Sequence, residues 1–126
     1  PILDLNHYKR SITWYMGKLE QLIIDTLGDY GIIACRKKGL TGVWVKYKKI
    51  AALGVRISKW VTMHGFSINV NPNLEYYKSI IPCGIEEYGI TSMEDIMGNK
   101  VPSMGEIKSK VINLFSRNFT GIKVNG

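Results

Sequence analysis

Apolar side chains return at three- and four-residue steps from Tyr8 through Ile12, Tyr15, Leu19, Leu22 and Ile23 to Leu27. One stripe of the segment is therefore apolar and the remainder polar, which predicts a long amphipathic helix over 6–27. Asp4 or Asn6 can cap its start, and Gly28 or Gly31 can end it. Residues 31–36 then form a short apolar run bounded by a glycine and a basic cluster, as expected of a buried strand. Cys35 falls inside it and is expected to be a small core residue. Residues 43–46 and 50–57 are β-prone and flank Tyr47, Lys48 and Lys49, which predicts a hairpin. Phe66, Ile68 and Val70 alternate with Ser67 and Asn69, giving a third strand whose two faces differ.

Residues 74–81 predict a short helix stopped by Pro82, because the residue before a proline is pushed out of the α region. Cys83 follows that stop, and Gly84 follows Cys83. Ser92 to Asp95 and Ser103 to Glu106 each place a hydroxyl three residues before a carboxylate, the pattern of a capping box. The second opens a C-terminal helix with the apolar stripe Ile107, Val111, Leu114, Phe115 and Phe119. No internal repeat or low-complexity tract interrupts the chain. The order helix, strands, helices implies an α+β domain over 1–126, a mixed and largely antiparallel sheet with helices packed on it.

Composition changes this picture little. With 45% hydrophobic and 10% aromatic residues in 126, the chain can bury one core. Seventeen basic against ten acidic residues give a formal charge of +7, which favours acidic partners. Thirteen of the seventeen are lysine, whereas bidentate reading of bases favours arginine, so nucleic-acid recognition is not the first inference. No apolar run approaches the roughly 20 residues of a membrane span, and no membrane partner is expected. The first residue is Pro1, so an upstream segment with any targeting peptide can precede it. Two cysteines are too few for a disulfide scaffold and suit a reducing compartment.

Cys83 lies on a turn between proline and glycine, where a thiol is reachable. A thiol reacts as the thiolate, so it needs a neighbour that favours the ionised form, and Lys49, His64 or another lysine could serve. Lys49 precedes the small and apolar run Ile50 to Gly54, which would let its side chain lie in a dry cleft. It could equally be a solvated hairpin lysine. His64, before Gly65, could be a base for the thiol, a hydrogen-bonding wall residue or a structural histidine, and His7 reads as surface. Ala51, Ala52, Gly54, Gly65 and Ser67 are small enough for a ligand or a backbone to approach closely. The chain has no Walker loop, no G-x-G-x-x-G and no zinc-like spacing, so neither a cofactor nor a metal is expected.

Four blocks together carry a resemblance: G-L-T-G-V-W-V at 39–45, K-I-A-A-L-G-V-R at 49–56, W-V-T-M-H-G-F-S-I-N-V at 60–70, and I-P-C-G-I at 81–85 followed by Thr91 and Ser92. In order and spacing they resemble the lipoyl(octanoyl) transferases, which share a fold with the catalytic domains of biotin and lipoate protein ligases. The resemblance runs from Pro1 to about Met97. It implies an acyltransferase of lipoate biosynthesis that moves an octanoyl group from acyl carrier protein to an enzyme cysteine, then to a lysine of lipoyl domains. Those acceptors would be the 2-oxoacid dehydrogenases and the glycine cleavage H protein.

The resemblance places the nucleophile at Cys83 and the residue that tunes it at Lys49. It assigns acyl binding to Ala52, Leu53 and Gly54 and to Gly65, Phe66 and Ser67, with His64 alongside. The family also carries an upstream arginine, glycine and histidine-rich stretch that forms much of the pocket. This chain begins just after the position of that stretch, so it is expected to be the C-terminal part of such a catalytic domain. A mitochondrion or plastid would suit a eukaryotic source and the cytoplasm a bacterial one. Two competing readings are an ATP-dependent lipoate or biotin ligase of the same fold, which would not need Cys83, and a basic noncatalytic binding module.

Overall fold

The computed structural model describes residues 1–71 and 89–120. Helix α1 runs Ile12–Gly28, followed by strands β1 (Cys35–Lys37), β2 (Leu40–Val45), β3 (Lys48–Ser58) and β4 (Val61–Ile68). A short α2 (Met93–Met97) and a long α3 (Met104–Thr120) complete the described chain. Among the described residues, no helix is long and apolar enough to cross a membrane.

α1 begins later than its apolar stripe suggests. Ser11 is extended and its Oγ accepts the Trp14 N–H at 3.1 Å, which satisfies one amide of the first turn. Asp4 caps a separate 3-10 turn over Leu5–His7 instead. At the other end Gly31 takes φ +80°, a left-handed turn that leads the chain away from the helix.

The four strands pair in the order β1-β2-β3-β4, each antiparallel to the next. Side chains alternate across β3. Leu53, Val55 and Ile57 pack against the cluster of Leu5, Tyr15, Leu19 and Phe119, while Ala52, Gly54, Arg56 and Ser58 are exposed. One face of the sheet thus lies under α1 and α3, and along β3 the other face is exposed. A second cluster joins Ile23 and Leu27 of α1 to Val43, Ile50 and Ala51 of the sheet, Met93 of α2 and Ile107 of α3. Since Lys110 pairs with Asp29 at the end of α1 whereas Phe119 meets Tyr15 near its start, α1 and α3 run antiparallel.

Two connections complete the sheet. Residues 3–5 lie along the outer edge of β4: Thr62 N–H donates to Leu3 O at 2.8 Å and Leu5 N–H to Trp60 O at 2.7 Å. Backbone groups that would stand unpaired on an edge strand are satisfied there. At the start of β3, Lys49 forms a parallel bridge with Ile90, so the sheet is mixed at that point and antiparallel elsewhere. The α+β, largely antiparallel class expected from the sequence is the one observed.

Three expectations need correction. Cys35 is exposed rather than in the core, because β1 is a three-residue strand at the end of the strand order, with a register shift between Cys35 and Lys37. β4 begins at Val61, five residues before the alternating run. Its first half hides the alternation because His64 takes φ +63° within the strand. In the capping boxes of α2 and α3 only the hydroxyl is seen to act: Ser92 Oγ accepts the Asp95 N–H and Ser103 Oγ the Glu106 N–H. The Asp95 carboxylate accepts the Thr91 hydroxyl at 3.0 Å.

Candidate active site

The long pairing of β3 with β4 sets Ala52 opposite Ser67, Leu53 opposite Phe66, Gly54 opposite Gly65 and Val55 opposite His64. Nine to fifteen positions of sequence separation thereby collapse into neighbouring rungs. Ala52, Leu53, Gly54, His64, Gly65, Phe66 and Ser67 line one groove of about 340 Å³. That volume lies within the ~300–1,000 Å³ of ordinary ligand clefts. All seven positions singled out in the sequence for substrate binding line it.

The two glycines make the groove in different ways. A Cβ added at Gly54 would meet nothing within 4 Å, so that glycine leaves open space. One added at Gly65 would stand 2.8 Å from Cδ of Pro1, so that glycine lets the chain's first residue cross close over the strand.

Lys49 sits three residues before Ala52, about 10 Å along β3 at ~3.3 Å per residue. It is half-buried. Its backbone is held on two sides: Trp44 is its cross-strand partner on β2, its N–H donates to Gly89 O at 3.1 Å, and its carbonyl accepts the Thr91 N–H at 2.9 Å. Its Nζ lies 5.5 Å from the centroid of the Trp44 ring. A lysine placed so is not a freely solvated hairpin side chain.

Cys83 and the expected helix over 74–81 lie outside the described residues. The described flanks of that stretch both attach beside Lys49: Asn69 N–H donates to Ile50 O at 2.9 Å, and Gly89 accepts from Lys49 itself. His64 is exposed at the groove and carries the strained backbone noted above. His7 is a surface residue as expected, 3.5 Å from Asp4. Lys46 lies at the β2–β3 turn and Lys48 at the start of β3, whereas Lys59 lies at the β3–β4 turn, the whole eleven-residue length of β3 away. Sequence reasoning did not foresee Gly42 and Trp44 as neighbours of Lys49. Their spacing of two on a strand, which puts both on one face, was the available signal.

The model of the lipoyl protein ligase A/B catalytic domain matches residues 1–116. An octanoyltransferase of Clostridium kluyveri is 45% identical over 119 residues, covering 94% of this chain and 50% of that protein. One of Solibacter usitatus is 50% identical over 119 residues, covering 94% and 53%. The chain thus spans about half the length of these curated relatives. Among solved structures, the biotin protein ligase of Aquifex aeolicus in complex with biotin and ATP superposes with TM-score 0.73 at 22% identity, over 94% of this chain and 47% of that one. A lipoate-protein ligase A bound with ATP gives 0.72 at 16%, over 87% and 47%. At such identities the likeness is one of fold.

Proposed function

Because the chain belongs to the family of lipoyl protein ligase A/B catalytic domains, we propose that it carries out octanoyl transfer for protein lipoylation, with Cys83 as nucleophile and Lys49 as its partner. The Cys83 thiolate attacks the carbonyl of an octanoyl thioester on an acyl carrier protein, and the carrier thiolate leaves. The amine of a lipoyl-domain lysine then attacks the Cys83 thioester, an amide forms, and the Cys83 thiolate is released. One thioester replaces another in the first step and an amide replaces a thioester in the second, so no energy source is needed. Lys49, protonated, stabilises the Cys83 thiolate and gives its proton to the leaving carrier thiolate; now neutral, it takes the proton that the incoming amine must lose.

The observation that carries this reading is the convergence on one groove of the seven positions expected to bind substrate, with Lys49 on the same strand. Chain length supports the placement of the nucleophile. Gly89 follows Cys83 by six positions, a chain length of at most about 22 Å. Gly89 is hydrogen-bonded to Lys49, so the length of chain between them permits a contact of thiol and amine. Identity also favours transfer over ATP-dependent ligation: the octanoyltransferases match at 45 and 50%, the ligase structures at 22% and 16%.

Intact mass of the full-length protein after mixing with octanoyl carrier protein tests the proposal. One octanoyl adduct, removed by hydroxylamine and absent from Cys83→Ala, is expected. Normal modification of a lipoyl domain by the Cys83→Ala protein would refute the mechanism.

A further inference from the structure

Gly42 and Trp44 stand two apart on β2, and the second is the cross-strand partner of Lys49. The backbone at Gly42 has φ +140°. A Cβ there would stand 2.7 Å from Lys49 Cε, 3.0 Å from Ala51 O and 3.3 Å from Trp44 Cη2. The gap left by the missing side chain is therefore where the lysine stem runs, alongside the indole. Gly42 is held in turn from α1, its N–H donating to the Glu20 carboxylate at 3.2 Å.

Trp44 is 3% exposed, and among the described residues its indole Nε1 has no hydrogen-bond partner. A buried N–H without a partner is disfavoured, and phenylalanine would occupy the position without one. What the indole offers beyond a phenyl ring is the better face for a cation, and the Lys49 ammonium lies 5.5 Å from its centroid. We propose that Trp44 is a positioning residue for acyl transfer: its ring face, with the gap at Gly42, holds the Lys49 ammonium in one place. This rests on the reading that Lys49 takes part in the transfer.

The test replaces Trp44 in the full-length protein with tryptophans carrying successively more ring fluorines, which drain the π face and barely alter its shape. Single-turnover octanoyl transfer should slow stepwise by roughly five- to tenfold across the series, with KM for the carrier thioester and Tm unchanged. In a Lys49→Ala background the series should be flat. Trp44→Phe should fall between the native protein and Trp44→Met. A flat series in a protein that Lys49→Ala inactivates overturns the positioning role and leaves the part of Lys49 standing. A rate that climbs with fluorination marks the more acidic indole N–H as a donor to substrate, and overturns it as well. Native transfer by Lys49→Ala refutes the underlying reading itself.

Discussion

Gly54 and Gly65 face each other across one rung of the sheet and make opposite predictions. At Gly54 a methyl group meets nothing, and alanine in a strand interior is preferred over glycine by about 0.5–1 kcal/mol, so Gly54→Ala should raise stability slightly. The same methyl group enters the groove, so KM for the octanoyl donor should rise. At Gly65 the methyl group meets the Pro1 ring at 2.8 Å, and Gly65→Ala should cost about 1–3 kcal/mol as the N-terminal segment is displaced. Urea unfolding and steady-state kinetics on the two variants separate these effects; equal stability losses at both positions would contradict the geometry. The residues that build the groove were legible in the sequence because small residues cluster there and four blocks repeat a family pattern. Cross-strand neighbours were not. Nothing in the order of residues says that Trp44, rather than Val43 or Val45, stands opposite Lys49, because a bulge after Val43 shifts the register.

At the level of elements, α1 is joined to β4 through Tyr15, which is fully buried and whose hydroxyl accepts from Thr62 Oγ1 at 3.4 Å. Burial pushes the phenol up from its ordinary value of 10.0, and the Thr62 hydrogen bond opposes this in part. The folded state thus keeps the proton to higher pH than the unfolded state does. Its contribution to stability is complete below pH 10.0 and is lost as pH rises from there through the folded value. Tyr15→Phe should therefore show a shallower loss of stability up to about pH 11 than the native protein, at a cost of roughly 0.5–1.5 kcal/mol near neutrality. Denaturant titrations across that range decide it, and identical slopes would mean that Tyr15 does not titrate in this way. Elements with a steady period, such as the stripe of α1 and the hairpin of β2 and β3, were readable from sequence. The start of β4 was not, since the left-handed backbone at His64 breaks the alternation that signals a strand. Nor was the start of α1, where the stripe continues back to Tyr8 but the Ser11 cap sets the first turn.

For the molecule as a whole, a charge of +7 gives long-range attraction for acidic proteins. Lys46 and Lys48 concentrate part of it at the end of β3 where Lys49 lies. Screening shortens the reach of that field from about 10 Å at 0.1 M salt to about 3 Å at 1 M. kcat/KM with an acidic carrier protein should fall roughly tenfold or more over that range, through KM, while a neutral small thioester of octanoate should show no such loss. Equal salt dependence for both donors would remove charge steering from the account. The bridge between Lys49 and Ile90 has a consequence of another kind, for the order in which the protein forms. The hairpin that aligns Lys49 with Trp44 closes over a few residues and is available early. The hydrogen bonds from Lys49 to Gly89 and from Thr91 to Lys49 close loops of about forty residues, and contacts so distant in sequence are the slow ones in folding. The lysine is thus expected to take its place on the sheet before residues 89–91 are fastened beside it. A newly made polypeptide would complete the surroundings of Lys49 only when that loop of about forty residues closes.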